Sequence, residues 1–410
     1  MQSGWNVKAV WELADVKGGK RLPKGRNLQK FATPYPYIRV ADMTHGTVNL
    51  SDIHYVPSDV APSIRKYRIF SDDIFISVAG TLGIVGKIPE DLNGAYLTEN
   101  ADRLTDIKCD RDYLMYVLQS DSIQREINSI RTVGAQPKLA LGRIKDFEII
   151  LPEDRQEQSR IARALNTADT FLKELEKIIT KKRAIKQGLM QELLTGRTRL
   201  PGFFDEWVSI PVAKLSHIKA RIGWQGLTTS EYLKSGVYRL VGGTDFLEDG
   251  SLDWAEVPFV SGWRYSQDLN IQLRPNDVLI TKDGTIGKVA IVNELSHPAT
   301  LNSGVYVVRP KGNAYDPRFM FWMLKSSAFD TFINSLSAGS TINHLYQKDL
   351  VSLSFMVPKD LEEQKAIASV IDAAQKEISA LEKQLESAKA IKQGMMQELL
   401  SGRTRLLKEG

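Results

Sequence analysis

Lysine and arginine gather in the glycine-rich stretches of this 410-residue chain, and they are the residues whose types and spacing could do chemistry. GGKRLPKGRN holds Lys20, Arg21, Lys24 and Arg26; Lys87 follows a GTLG turn; Lys138 and Arg143 lie in and beyond GAQPKLALG. Arg221, Arg239, Lys282, Lys288, Asn343 and His344 form a matching set further along, with Trp224 among them as a ring able to stack or wedge. Cationic side chains in loops neutralise phosphates, and side chains presenting paired donors or acceptors discriminate base edges in a groove. The alternative for each cation is a solvated surface charge, for Trp224 a place in the core, and for His344 a hydrogen bond within its loop. The turns Gly80-Thr81-Leu82-Gly83 and Gly284-Thr285-Ile286-Gly287 invite comparison with phosphate cradles, but each follows a β-rich run, so a structural turn is the better reading.

Other chemistries find no support. There is no [DNS]-P-P-[YFW] signature, no G-x-x-x-x-G-K-[ST] nucleotide loop and no Cys or Ser nucleophile with a convincing partner. The one cysteine, Cys109, cannot form an internal disulfide, and no Cys/His cluster has metal-ligand spacing. A net charge of +5 and a pI near 9.0 favour an anionic partner without deciding that it is nucleic acid. The start MQSGWNVKAV lacks a basic segment followed by an apolar one, and no run approaches the ~18 apolar residues of a membrane span, so a cytoplasmic location is expected.

The elements that must position these residues are written twice. RAIKQGLMQELLTGRTRL at 183–200 returns as KAIKQGMMQELLSGRTRL at 389–406, with 15 of 18 positions the same. An offset of 206 residues aligns Tyr113 with Phe319, Pro152 with Pro358, Glu157-Gln158 with Glu363-Gln364, and Gly196 with Gly402. An offset near 204 aligns DDIFISVAGTLG with NDVLITKDGTIG, and one of 202 pairs Trp5 and Leu13 with Trp207 and Leu215, so loops of unequal length separate shared elements. Each half is about 150 residues of diverged mixed α/β sequence followed by about 45 residues nearly alike. Strand-like runs at 73–78 and 278–281 and helical stretches at 112–130 and 317–336 mark the diverged parts.

The shared parts read as long amphipathic helices. Ile161, Leu165, Ala168, Leu172, Leu175 and Ile179 alternate at spacings of four and three, and Ile367, Ile371, Ala374, Ile378, Leu381 and Leu385 repeat them. A helix from about 156 to 195 runs roughly 60 Å, longer than a compact domain of this size needs. Gly196 and Gly402 suit a left-handed C′ position. Gly188 and Gly394 lie inside the helices, where glycine costs about 1 kcal/mol relative to alanine; they predict either a kink or the close approach of a partner. The second is preferred because Leu189, Met190, Leu193 and Leu194, and Met395, Met396, Leu399 and Leu400, are apolar for a free surface. For Arg197 and Arg199, and Arg403 and Arg405, helix-dipole complementarity competes with docking of a partner. Two such helices can pair antiparallel and hold two domains in a pseudo-twofold relation, a symmetry that suits duplex DNA.

With GWNVKAVWELADV and FDEWVSIPVAKLSHI opening the halves, the pair ISVAGTLG and ITKDGTIG, the helix starts LPEDRQEQSRIA and VPKDLEEQKAIA, and IKQGLMQELLTGRTRL, the chain resembles the specificity subunit of type I restriction-modification systems. The resemblance covers essentially the whole chain. It implies an α/β (α+β) protein with two target recognition domains, 1–152 and 201–358, joined by conserved spacer helices, 153–200 and 359–410. It further implies double-stranded DNA as ligand, two modification (methyltransferase) subunits as partners, and restriction subunits in the full complex. S-adenosylmethionine, ATP and Mg are then expected on those partners, with no cofactor, metal or catalytic residue on this chain. GAQPKLALG stands where the second half has GSTINHLYQ, so the two loops are not assigned the same contacts. The rival reading is a non-catalytic coiled-coil scaffold linking two protein-binding domains, and a weaker one is a duplicated enzyme with an unrecognised site.

Overall fold

The computed structural model describes residues 4–130, 137–336 and 344–406. Packing divides the chain into two compact units, Met1–Glu176 together with Gln384–Gly410, and Lys177–Lys383. Each consists of one diverged domain, part of the helix that follows it, and part of the other helix.

The domain of the first unit is built around an antiparallel sheet in the order Asp15–Gly18, Ala101–Thr105, Ile74–Ser77, Val85–Lys87. Every residue of Ile74–Ser77 is buried, so this strand is covered on both faces rather than alternating between core and solvent. A second sheet orders His54–Tyr55, Pro36–Ile38, Ala95–Leu97 and Arg68–Ile69, with one parallel pair. A two-stranded ribbon joins Trp5–Ala9 to Glu148–Pro152 and so brings the start of the domain to the start of its helix. The second unit repeats the plan with Ser216–Ala220, Val305–Pro310, Val278–Thr281 and Val289–Ile291 in one sheet, Phe259–Val260, Tyr238–Val241 and Ala299–Leu301 in the next, and a ribbon of Trp207–Pro211 with Ser354–Pro358.

The helical stretches expected at 112–130 and 317–336 are each two helices: Arg111–Gln119 and Asp121–Ser129, Pro317–Leu324 and Ser327–Leu336. Asp110 and Asp316 start the first of each pair by accepting the backbone N–H of Tyr113 and Phe319. Behind them Tyr113, Tyr116, Phe319 and Trp322 fill the cores.

The long helices run Arg155–Leu193 and Leu361–Leu400 without interruption, the first spanning about 58 Å. Ile161, Leu165, Leu175 and Ile179 on one, and Ile367, Ile371 and Ile378 on the other, are buried, with the remaining seam positions half-buried. Inside each unit the two helical segments are antiparallel. In the second unit Lys186 Nζ lies 2.6 Å from Gln375 Oε1 while Arg199, just past the end of the first helix, reaches Glu363 near the start of the second. In the first unit Lys392 pairs with Asp169 at 2.5 Å and Arg405 with Glu157. Among the described residues no helix is long and apolar enough to cross a membrane.

Candidate functional site

Four backbone segments of the first unit meet at one end of the sheet containing Ile74–Ser77. Val78 N and Ala79 N both donate to Asn100 O, at 2.7 and 3.2 Å, and Leu139 N donates to Val78 O at 2.9 Å. Gly19 N and Lys20 N are tied to Ala101 O and Leu97 O at 3.0 and 2.8 Å. This lattice carries Lys20, Arg21 and Lys138 outward on one edge. All three are exposed; Arg21 Nε holds Glu99 at 2.5 Å, and Lys20 Nζ lies 5.8 Å from the Tyr67 ring centre. Lys24 is exposed in the adjoining loop, where Arg26 is paired with Asp59. Beneath the edge Asp102 is 6% exposed, and burial pushes its carboxyl up to about 6 against the opposing charge of Lys138.

The second unit reproduces the lattice with other side chains. Lys282 N donates to Gly304 O at 2.9 Å and Leu345 N to Lys282 O at 2.8 Å, the counterparts of the Val78 bonds. His344 occupies the place of Lys138, since Asp283 bridges to His344 as Ala79 does to Lys138. Its Nδ1 is hydrogen-bonded to Asp283, whose other oxygen is 2.9 Å from Lys282 Nζ. Tyr306, which pairs with Ile280 as Asp102 does with Ile76, donates its hydroxyl to Leu345 O at 3.1 Å. Tyr346 stands half-exposed with its ring centre 4.4 Å from that of His344 and with Lys348 Nζ 5.2 Å away. Lys288 is exposed just past the turn.

The Gly80–Gly83 and Gly284–Gly287 turns are structural. Ser77 Oγ donates to Thr81 O at 2.6 Å and accepts from Ile84 N; Thr281 does the same with Thr285 O and Lys288 N. Those hydroxyls span the turns from inside, and the four glycines sit at positive φ.

Other expected contacts lie elsewhere. Arg221 is 2% exposed and spends its donors on Leu301 O at 2.8 Å, Thr300, Gln267 and Arg264 O, so it braces two segments of its own unit instead of meeting a phosphate. Lys87 is at the opposite end of its sheet, 2.8 Å from Asp112. Arg239 donates to Val257 O and stacks 3.9 Å from the Phe259 ring centre. Arg143 is exposed on the helix Leu141–Lys145, without a tie to the loop edge. Asn343 and the side chain of Trp224 fall outside the described residues.

The duplicated helix ends are also rearranged by the structure. Met190, Leu193 and Leu194 are buried in the core of the second unit, and Met396, Leu399 and Leu400 in that of the first; Leu189 and Met395 pack against the same cores. They are not a free docking face. Arg199 makes a two-pronged bond to Glu363 at 2.6 and 2.7 Å, and Arg405 to Glu157 at 2.9 and 2.6 Å. Both carboxylates are buried, so these arginines latch the chain to itself. Gly196 and Gly402 adopt φ of +70° and +74°, and a Cβ on either would press to 3.1 Å against the ring of Trp207 or Trp5. Gly188 and Gly394 lie within continuous helix, and among the described residues no atom outside the local helix comes within 4 Å of a Cβ placed there, so no other backbone of the described chain approaches them closely. Among the residues that stay exposed in both copies are Ile185 and Ile391, Gln187 and Gln393, Gln191 and Gln397, and Arg197 and Arg403.

Asp102, Asp283, Tyr346 and the buried glutamates are absent from the sequence-based set. Glu157-Gln158 and Glu363-Gln364 did carry a signal, because a carboxylate and an arginine duplicated at the same offset describe an internal ion pair as readily as a docking surface. The glutamines also have one duplicated job: Gln158 bridges Asp110 N and Pro152 O, and Gln364 bridges Asp316 N and Pro358 O, all at 2.8 Å.

The chain is similar to the putative type I restriction enzyme MjaX specificity subunit of Methanocaldococcus jannaschii, with 24% identity over 98% of this chain and 94% of that one. It is similar to the EcoKI specificity subunit of Escherichia coli at 24% identity over 48% of this chain and 42% of that one. Its fold is that of the type I restriction-modification S subunit from M. genitalium, with a TM-score of 0.63, 18% identity and 96% of each chain covered. A chain in a structure of type I restriction-modification complex assembly and conformational transition superposes with a TM-score of 0.55 at 16% identity, covering 98% of both. The family model described as type I restriction modification DNA specificity domain matches residues 2–187 and 227–389, and the chain belongs to that family.

Proposed function

We propose that this chain reads a bipartite, asymmetric duplex DNA target, one domain per half-site, and directs adenine methylation and restriction by partner subunits. The observation that carries the reading is the loop edge, built twice on one backbone lattice with different side chains. Ala79, Asp102 and Lys138 in the first unit stand where Asp283, Tyr306 and His344 stand in the second. A shared frame with a diverged rim is what two different half-sites require. Lys20, Arg21, Lys24 and Lys138 supply phosphate contacts on one side, Lys282, Lys288 and Lys348 on the other, and His344 with Tyr346 discriminates bases.

Two modification subunits dock on the residues that are both exposed and identical in the helix copies, around Gly188 and Gly394 with Ile185, Ile391, Arg197 and Arg403. Restriction subunits join in the full complex. No catalytic step is assigned to this chain; S-adenosylmethionine, ATP and Mg belong to the partners.

Footprinting of the purified chain with its modification subunit tests the reading. Sequence-preferring protection that weakens steeply as salt rises is expected, because phosphate contacts release counterions. Loss of all sequence preference at every salt concentration overturns it.

A further inference from the structure

Each domain is seated on its long helix by a polar cluster, and the two clusters are the same construction with its charges placed differently. In the first unit Asp112 Oδ2 accepts from Asn166 Nδ2 and from Lys87 Nζ, both at 2.8 Å. One turn on, the Tyr116 hydroxyl donates to Asp169 Oδ2 at 2.6 Å. Lys392 closes the cluster, 2.5 Å from Asp169 and 5.6 Å from the Tyr116 ring centre. In the second unit Arg318 Nε donates to Asp372 Oδ2 at 2.5 Å and Trp322 Nε1 to Asp372 Oδ1 at 2.9 Å. Lys186 closes it, 2.6 Å from Gln375 and 5.6 Å from the Trp322 ring centre.

The offset of 206 residues places Asp112 on Arg318, Tyr116 on Trp322, Asn166 on Asp372 and Asp169 on Gln375. Lys186 and Lys392 are the same lysine of the duplicated IKQG stretch, so the closing cation does not distinguish the seats. Everything else in them does. The first seat offers an amide to a domain carboxylate and, one turn on, a carboxylate to a tyrosine hydroxyl; the second offers one carboxylate to both a domain guanidinium and an indole N–H.

We infer that residues 112/166 and 318/372 form a mating code, by which each helical seat accepts the domain it carries and rejects the other. The first seat fits a domain that presents a carboxylate on the first turn of this helix, the second a domain that presents a guanidinium there. In a crossed arrangement Asp112 would face Asp372. The two side chains are 17% and 16% exposed in their own units, so the crossed pair would set two shielded carboxylates at hydrogen-bond distance while Lys87 and Arg111, the cations beside Asp112, are already engaged with it, and like charges so placed repel. Arg318 would meet Asn166 and keep a hydrogen bond but lose its counter-charge. The inference concerns assembly of the chain itself and stands apart from what the loop edges bind.

A double-mutant cycle in the full chain tests it. Asn166→Asp should lower the thermal unfolding midpoint by about 3–8 °C, because it installs the crossed pair. Adding Asp112→Asn should recover at least half of that loss, since the amide and carboxylate then trade places across the same hydrogen bond. Additive effects of the two substitutions, or no fall with Asn166→Asp alone, overturn the code. A second comparison uses chains with the segments 1–152 and 201–358 transposed. The version that also carries Asn166→Asp and Asp372→Asn should unfold cooperatively and resist limited proteolysis better than the version with unchanged helices, and equal behaviour of the two overturns the inference.

Discussion

Asp102 is held in the first unit at a cost in stability. It is buried on the strand Ala101–Thr105 with no ion-pair partner among the described residues, and burial pushes its carboxyl up to about 6. A carboxyl raised in this way favours the folded state most at low pH, and that contribution is lost as pH rises from the unfolded value near 3.9 through about 6. Asp102→Asn should therefore stabilise the chain at pH 7.5 by about 1–3 kcal/mol and have little effect at pH 4, measured by urea unfolding at the two values. The same effect at both would show that the group is not desolvated as described. Residues of this kind are hard to find in a sequence, because ADRLT reads as an ordinary strand until the fold places Lys138 above it. Arg221 teaches the converse. A basic residue beside glycine in a loop has the look of a phosphate ligand, and only the closure of Leu301 and Gln267 around it reveals a brace.

At the scale of elements the long helices were legible almost to the residue, because a seam alternating at four and three over six positions admits little else. Their ends were legible too, from Gly196 and Gly402. The two domains were legible as mixed α/β but their topology was not, since their ribbons join Trp5 to Pro152 and Trp207 to Pro358, pairings that local patterns do not encode. The latches left only the trace of a glutamate and an arginine repeated at one offset, which does not say that the partners, 164 and 248 residues apart, meet. The interior glycines separate helix stability from docking. With open space around Gly394, Gly394→Ala should stabilise the isolated chain by about 0.5–1 kcal/mol in denaturant unfolding. Gly394→Leu should leave the chain folded but reduce its co-purification with a modification subunit. Unchanged recovery of the complex would remove this face from the docking surface.

For the whole molecule, the helices are proposed to set the gap between half-sites, and their seam dictates how that gap can change. Seven residues restore the seam's phase, whereas four would rotate its apolar face away. Matched insertions of seven residues after Ile179 and after Lys383 should add about 10 Å, or about three base pairs at 3.4 Å each, while both half-sites stay the same. Mapping methylated adenines in cells carrying the lengthened chain reads the result directly. A changed half-site sequence would count against independent domains.

The latch between Arg405 and Glu157 also has a bearing on synthesis. The second unit is one uninterrupted stretch, Lys177–Lys383, but the first needs Gln384 onward to cover Trp5 and to neutralise the buried Glu157. On the ribosome, then, the part made first is the part finished last. Its apolar face around Ile161 and Leu165 must wait, unsheltered by Met396 and Leu399, until the whole of the other unit has emerged. That interval is when the nascent chain most needs a chaperone; mistranslation or stalling beyond residue 383 would release a chain with one finished half and one open one.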